Sequence, residues 1–291
     1  MRLLITGGSG MVAHATFAHC SAEGDDVVAL TRKQLDIADA EQVTRTLAEG
    51  RFNSVINCAA WTDVDGCEAD LDRNYGSNAY GVRNLAEACR AIGANLVTIS
   101  TDYVFSGAKQ GFYTQRDDPD PRSKYGEAKL KGEHFAREAL ARTIIVRSGW
   151  IFGHGGTNFL SKVVQKLRDG GQVRAIADSY GTPTFARDPA LRLRELAELD
   201  LPGIYHVANS GDGTSYAGFA RAAVPEVAGS MVEEISELSL RRPAPRPRNS
   251  RLRCLVSEAI GLEPLPDWRD ALNDFVRETR SAGEANAHAQ A

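Results

Sequence analysis

The chain has 291 residues, 43% of them hydrophobic and 25% charged, the balance of an ordinary globular protein with core enough to fold without staples. A formal net charge of -4 offers no basic field for nucleic acid or an anionic membrane. Five cysteines without a close pair argue against a disulfide framework or zinc knuckle, and six histidines without an HxH or HExxH pattern argue against a catalytic metal. No apolar run approaches membrane-span length, and Met1 to Thr6 leads into a glycine-rich turn rather than a cleavage site, so a cytoplasmic protein with reduced thiols is expected.

In chain order, Leu3-Leu4-Ile5 reads as a strand and Gly10 to Ala22 as a helix. Val27 to Leu30 is a second strand, and Asp39 to Glu49 a helix with Asp39 as its N-cap. Ser54 to Asn57 is a third strand. Asn78 to Ile92 carries Val82, Leu85, Ala86 and Cys89 at helical spacing, and Gly93 stops it. Leu96 to Ile99 and Thr143 to Val146 are further strands. This alternation predicts an α/β fold, a Rossmann-type doubly wound parallel sheet covered by helices. After Trp150 the pattern loosens. Phe159 to Leu167 and Tyr216 to Ala223 read as helices, Ile204 to Val207 as a strand, and Arg241 to Arg251 as an extended proline- and arginine-rich loop. Asp267 to Thr279 is a closing amphipathic helix, with small polar residues after it. The expected division is a dinucleotide-binding domain over 1–150, to which the segment near 172–200 returns. A smaller α/β substrate domain occupies most of 151–280, and 281–291 is expected to be a disordered tail.

Two constellations carry chemistry. Thr6-Gly7-Gly8-Ser9-Gly10-Met11-Val12-Ala13 lies between a strand and a helix, where bare backbone can approach a pyrophosphate at a helix N-terminus. The plain alternative is a glycine turn without a ligand. The second strand ends in Leu30-Thr31-Arg32-Lys33, two cations where sheets that prefer NAD place an acid. That favours the 2′-phosphate of NADP, against an exposed basic turn. Asp36 and Ile37 follow at the place of an adenine edge, and Asn57-Cys58-Ala59-Ala60 ends the third strand with small residues.

The second constellation is Tyr125-Gly126-Glu127-Ala128-Lys129, a phenol and an ammonium one helical turn apart. A cation beside the phenol lowers its pKa toward the range where it exchanges a proton with a developing alkoxide. The same spacing also arises by chance on solvated helices. Ser100-Thr101-Asp102-Tyr103 follows the fourth strand at the sheet's carboxyl edge, and strand alternation lets only one of Ser100 and Thr101 face a ligand.

These motifs together resemble the extended short-chain dehydrogenase/reductases and, more closely, the dTDP-4-dehydrorhamnose reductase family, from Thr6 to about Glu278. The resemblance rests on Leu35 to Ile37, Asn57 to Asp65 (NCAAWTDVD), Asn84 to Cys89 (NLAEAC), Ser100 to Phe105 (STDYVF) and Tyr125 to Lys129. Further on come Arg147 to Trp150 (RSGW), Gly181 to Thr184 (GTPT), Gly203 to His206 (GIYH) and Arg246 to Leu252 (RPRNSRL). It implies a catalytic set of Thr101, Tyr125 and Lys129, and sugar contacts from Asp102, Tyr103 and Trp150. It also implies a cofactor site at Gly7, Gly10, Met11, Val12, Arg32, Asp36, Ile37, Cys58, Ala59, Ala60 and Thr62, with Tyr125 and Lys129 reaching the nicotinamide ribose. The implied cofactor is NADPH, with NADH as the alternative, and the implied reaction is reduction of the C4 ketone of a dTDP-4-keto-6-deoxyhexose. Met11 stands where the family commonly has Gln, Ala13 where it has Gly, and Trp61 where a tyrosine is usual. His14-Ala15-Thr16 lacks the acid through which some members bridge a dimer with magnesium, so neither that metal nor that dimer carries over, leaving a monomer or homodimer. A ketoreductase making another deoxysugar is the nearest rival. A non-catalytic NADP-binding subunit, like the regulatory β subunit of methionine adenosyltransferase, is a rival of another class. Arg241, Arg242, Arg246 and Arg248 either meet the nucleotide diphosphate or form a solvated loop.

Overall fold

The protein's structure, a computed structural model, describes residues 1–224 and 231–289. The strands are β1 Arg2–Thr6, β2 Asp26–Leu30, β3 Ser54–Asn57, β4 Asn95–Thr101, β5 Thr143–Ser148, β6 Ile151–Phe152, β7 Val173–Ile176, β8 Tyr180–Gly181, β9 Thr184–Phe185, β10 Gly203–His206, β11 Thr214–Ser215 and β12 Val232–Ile235. The helices are α1 Met11–Ala22, α2 Ala40–Gly50, α3 Gly66–Ala69, α4 Leu71–Tyr75, α5 Gly81–Ile92, α6 Lys124–Ala139, α7 Phe159–Arg168, α8 Arg187–Leu199, α9 Tyr216–Ala223, α10 Leu255–Ala259 and α11 Trp268–Ala289.

Six strands form one parallel sheet in the order β10-β5-β4-β3-β1-β2. Neighbouring side chains of a strand face opposite ways, and both ways are covered, which is why the strands read as unbroken apolar runs. Leu4, Val55 and Leu96 pack with Val43 and Leu47 of α2, Leu85 of α5 and Ala136 of α6. Leu3, Ile5, Ile56, Val97 and Ile144 pack on the other face with Ala13 and Cys20 of α1 and Leu193 and Leu196 of α8. The chain passes from β1 outward to β2 and then back across to β3. The carboxyl ends of β1 and β3 therefore flank a crevice open to a ligand.

A third core gathers Phe152, Val164, Phe219, Trp268, Leu272 and Phe275, among the elements β6, β7, β9, α7, α9, β12 and α11. Its strands pair only two by two, β12 with β7, β11 with β8 and β6 with β9. Between visits to this core the chain returns to the large sheet, laying α8 along α1 and β10 beside β5.

Local chemistry sets the boundaries. Asp39 caps α2 by accepting from the Gln42 N–H at 2.9 Å, and Gly93 ends α5 at φ 74°. The helix expected from Asn78 is entered earlier, from α4, and passes through a π turn over Gly76–Tyr80 into α5. The Asn78 side chain is occupied elsewhere, bonding both the N–H and the carbonyl of Trp61. The closing helix carries helical backbone past Arg280 to Ala289, through most of the segment that composition reads as a tail; residues 290 and 291 lie outside the described residues.

Candidate active site

The crevice is built first by the glycine turn. Gly7 has φ 70°, and a Cβ there would lie 2.8 Å from the Ala59 N and Cα atoms, so only glycine lets β1 turn this close to the end of β3. The Gly8 N–H reaches the Leu30 carbonyl at 2.8 Å, and the Gly10 N–H closes back on the Gly7 carbonyl at 2.8 Å. Gly10 is the N-cap of α1 and no side chain caps it, which leaves first-turn N–H groups free for an anion. They border a cleft of about 680 Å³.

That cleft is lined by Gly7, Gly10, Met11 and Val12 from the turn, by Arg32, Asp36 and Ile37 beyond β2, and by Cys58, Ala59, Ala60 and Thr62 beyond β3. The structure thus brings together the residues that the motifs assign to a cofactor. A dinucleotide fits this lining: bare backbone at a dipole's positive end and small residues across the strand ends. Arg32 is not a free cation, because its Nε bonds Asp36 Oδ2 at 3.1 Å. Three features escaped the sequence reading. Arg73 stacks its guanidinium 4.2 Å from the centre of the Trp61 ring, and both line the cleft with Ser77. Gly155 to Asn158 close it from the side of the third core. The run Gly153-His154-Gly155-Gly156 was the available signal. Met11 explains its placement: its sulfur accepts from Ser161 Oγ at 3.7 Å, and a Cβ on Gly156 would meet that sulfur at 2.7 Å.

A second cleft of about 810 Å³ continues from the first, sharing Val12, Cys58, Ala60, Thr62 and Asn158 with it. Thr101, Asp102, Tyr103, Tyr125, Lys129 and Trp150 all line it. Geometry separates Ser100 from Thr101. Ser100 Oγ donates to Glu133, whereas Thr101 Oγ1 accepts from the Tyr103 N–H at 3.1 Å and donates to Asp102 Oδ1 at 3.0 Å. Helix α6 starts at its Ser123 cap, whose Oγ accepts from the Gly126 N–H at 3.2 Å. Gly126 has a packing duty: a Cβ there would collide with the Tyr103 carbonyl oxygen. Its bareness lets α6 press Tyr125 against the turn that carries Thr101.

The electrostatics differ from the simple expectation of a lysine lowering the phenol. Burial pushes the Tyr125 phenol up, against a smaller opposing pull from the Thr101 hydroxyl, and no contribution from Lys129 counters it. Lys129 Nζ instead donates to the Ile99 carbonyl at 2.6 Å, and burial brings the ammonium down to about 8. Asp102 is 2% exposed, and burial raises its carboxyl to about 6. The Ser250 and Thr101 hydroxyls bond the same carboxyl and oppose that rise. Gly149 lies directly against this carboxylate, which a Cβ would strike.

Trp150 has φ 52°, an uncommon conformation for a bulky side chain. It is held there by a stack on Tyr216, with ring centres 3.9 Å apart, and by Gly181, whose missing Cβ leaves room for the indole. Tyr216, read from sequence only as the start of a helix, is thereby part of the cleft wall. Tyr103 meets Tyr125 edge to face at 5.6 Å. Of the four loop arginines, Arg242 and Arg246 line the cleft, joined by Arg174 from β7; Arg241 and Arg248 do not. Arg246 is held by Asp65 at 2.6 and 2.8 Å.

Comparison with known proteins gives the family. The profile of the RmlD substrate binding domain family matches residues 1–281. A dTDP-4-dehydrorhamnose reductase of Streptomyces griseus is 40% identical, covering 94% of this chain and 92% of its own length. A probable dTDP-4,6-dihydroxy-2-methyloxan-3-one 4-ketoreductase of Streptomyces antibioticus is 35% identical, covering 94% of each chain. Among solved structures, the Bacillus anthracis dTDP-4-dehydrorhamnose reductase in complex with NADP superimposes with a TM-score of 0.90 at 33% identity, covering 95% of this chain and 99% of that one. On these matches, extending over nearly its whole length, the chain belongs to the dTDP-4-dehydrorhamnose reductase family.

Proposed function

We propose that this protein reduces the C4 ketone of a dTDP-4-keto-6-deoxyhexose, dTDP-4-dehydrorhamnose to dTDP-L-rhamnose, with NADPH held in the glycine-turn cleft. The observation that carries the reading is Tyr125 beside Thr101, with Lys129 in the same wall of the cleft that continues from the glycine turn. When bound, NADPH supplies the hydride. The chain's own residues supply the rest. Thr101 turns its hydroxyl hydrogen from Asp102 to the ketone oxygen, and Tyr125 donates the proton that the developing alkoxide needs. A phenol pushed up by burial stays protonated at neutral pH, the form that reduction requires. Lys129 offers its ammonium to the nicotinamide ribose. Asp102, in the cleft wall, accepts from a sugar hydroxyl, Trp150 and Tyr103 wall the sugar ring, and Arg242 and Arg246 meet the diphosphate.

The reading assigns 1–150, with α8 and β10, to the cofactor, and most of 151–280 to the sugar nucleotide. It fits a cytoplasmic enzyme. A site complete in Thr101, Tyr125 and Lys129 speaks against a purely regulatory NADP-binding subunit. The 4-ketoreductase relative favours one second reading, in which the same chemistry acts on a different deoxysugar.

The deciding experiment supplies the epimerised dTDP-4-keto-6-deoxyhexose and follows loss of NADPH absorbance, then identifies the sugar. Oxidation yielding dTDP-L-rhamnose is the expected result; no oxidation sinks the reading, and another sugar selects the second. Gly7→Ala tests the cofactor cleft separately. The new Cβ faces the Ala59 backbone at 2.8 Å from a positive φ, so the Kd for NADPH should rise about tenfold or more by fluorescence titration. Undiminished affinity would remove the glycine turn from the site.

A further inference from the structure

Behind the catalytic face of α6 lies a second set of charges that the proposed reaction does not touch. Glu133 stands one turn beyond Lys129 on the same helix, and its side chain is 2% exposed. Arg147 of β5, 4% exposed, donates to its carboxylate at 2.6, 3.0 and 3.2 Å. Ser100 of β4 adds its hydroxyl to the same carboxylate. The guanidinium of Arg147 also lies 5.2 Å from the centre of the Phe105 ring. Burial, with the Arg147 charge as a smaller cause, brings His206 of β10 down to about 4, so that imidazole is neutral at working pH.

A buried ion pair is seldom explained by stability, because the cost of desolvating both charges offsets their attraction. A reason appears around Lys129. Tyr125 and Glu133 flank it on α6, the Ile99 carbonyl receives it from β4, and Cys58 approaches from the end of β3. Burial pushes the Cys58 thiol up to about 12, so it carries no charge at neutral pH. Glu133 is the carboxylate acting on the ammonium, and it favours the cation against burial.

We propose that Glu133, clamped by Arg147 and Ser100, is a positioning residue that keeps Lys129 charged and seated against the Ile99 carbonyl. The inference rests on the role given to Lys129 above. Glu133→Gln keeps the size and removes the charge. Lys129 then loses its proton at lower pH, so the alkaline fall of kcat should move down by about one pH unit. NADPH affinity, titrated by fluorescence over roughly pH 6 to 9, should weaken along the same displaced curve. Because Glu133→Gln strands the buried Arg147 cation and can fail to fold, the double variant Glu133→Gln/Arg147→Met is the second test; losing the more distant Arg147 cation partly offsets losing Glu133, so its curve is expected to move the same way by a smaller amount. An unshifted pH curve in whichever of these folds overturns the proposal. The two readings separate cleanly: a wild-type protein that binds NADPH but reduces no dTDP-sugar refutes the substrate reading, while the binding curve still tests Glu133.

Discussion

Tyr125→Phe is expected to retain the fold and NADPH binding while turnover falls by about two orders of magnitude or more. The substitution removes one oxygen and keeps the ring that meets Tyr103 edge to face at 5.6 Å. The Thr101 hydroxyl keeps its bonds to the Tyr103 N–H and to Asp102, so the strand-end turn is not disturbed. What disappears is the proton donor. With it gone, the alkoxide must take its proton from water, in a cleft where Tyr125 itself is 7% exposed. Measuring kcat by NADPH oxidation beside the Kd for NADPH separates the two effects. Turnover equal to wild type would remove Tyr125 from the chemistry, and a lost Kd would make it a binding residue.

How much of this was legible in the residues depends on whether a feature is local. The inner strands of the parallel sheet were readable because both faces are buried, so Leu3-Leu4-Ile5 and Ser54 to Asn57 form compact, buried runs between turn signals. The cap at Asp39 and the stop at Gly93 were readable because capping acts within one turn. The π turn over Gly76–Tyr80 was not, since it goes with Asn78 bonding a loop 17 residues earlier. The cofactor and catalytic residues were marked by spacing. The reason for Gly126, a close approach to the Tyr103 carbonyl, lies across a gap in sequence and shows only in three dimensions. The same holds for the Trp150–Tyr216 stack, whose two rings come from segments far apart in the sequence. Electrostatics was least legible. The spacing of Tyr125 and Lys129 predicts attraction between phenolate and ammonium, whereas burial dominates both groups and sends their pKa values in opposite directions.

That burial gives the second large effect. Lys129→Met should lower turnover by about two orders of magnitude or more, yet make the protein more stable at neutral pH. An ammonium brought from 10.5 down to about 8 is charged less readily in the folded chain than in the unfolded one. Its destabilising contribution is therefore fully present below pH 8, and wild-type stability recovers as pH rises from there toward the unfolded value. The difference corresponds to about 3 kcal/mol at pH 7. Against it, the Ile99 carbonyl loses its donor, which costs about 1–3 kcal/mol. Glu133 adds no further cost, because Arg147 and Ser100 still bond it. The net gain is on the order of 1 kcal/mol, or about 2–4 °C in Tm for a chain of this size. Thermal melts of both proteins at neutral pH and near pH 10 check the sign, since the advantage of the Lys129→Met variant over wild type must shrink as pH rises. A variant less stable at neutral pH would mean that the carbonyl bond outweighs the burial of charge. The lysine would then be held by the fold, rather than kept at a cost in stability for its chemistry.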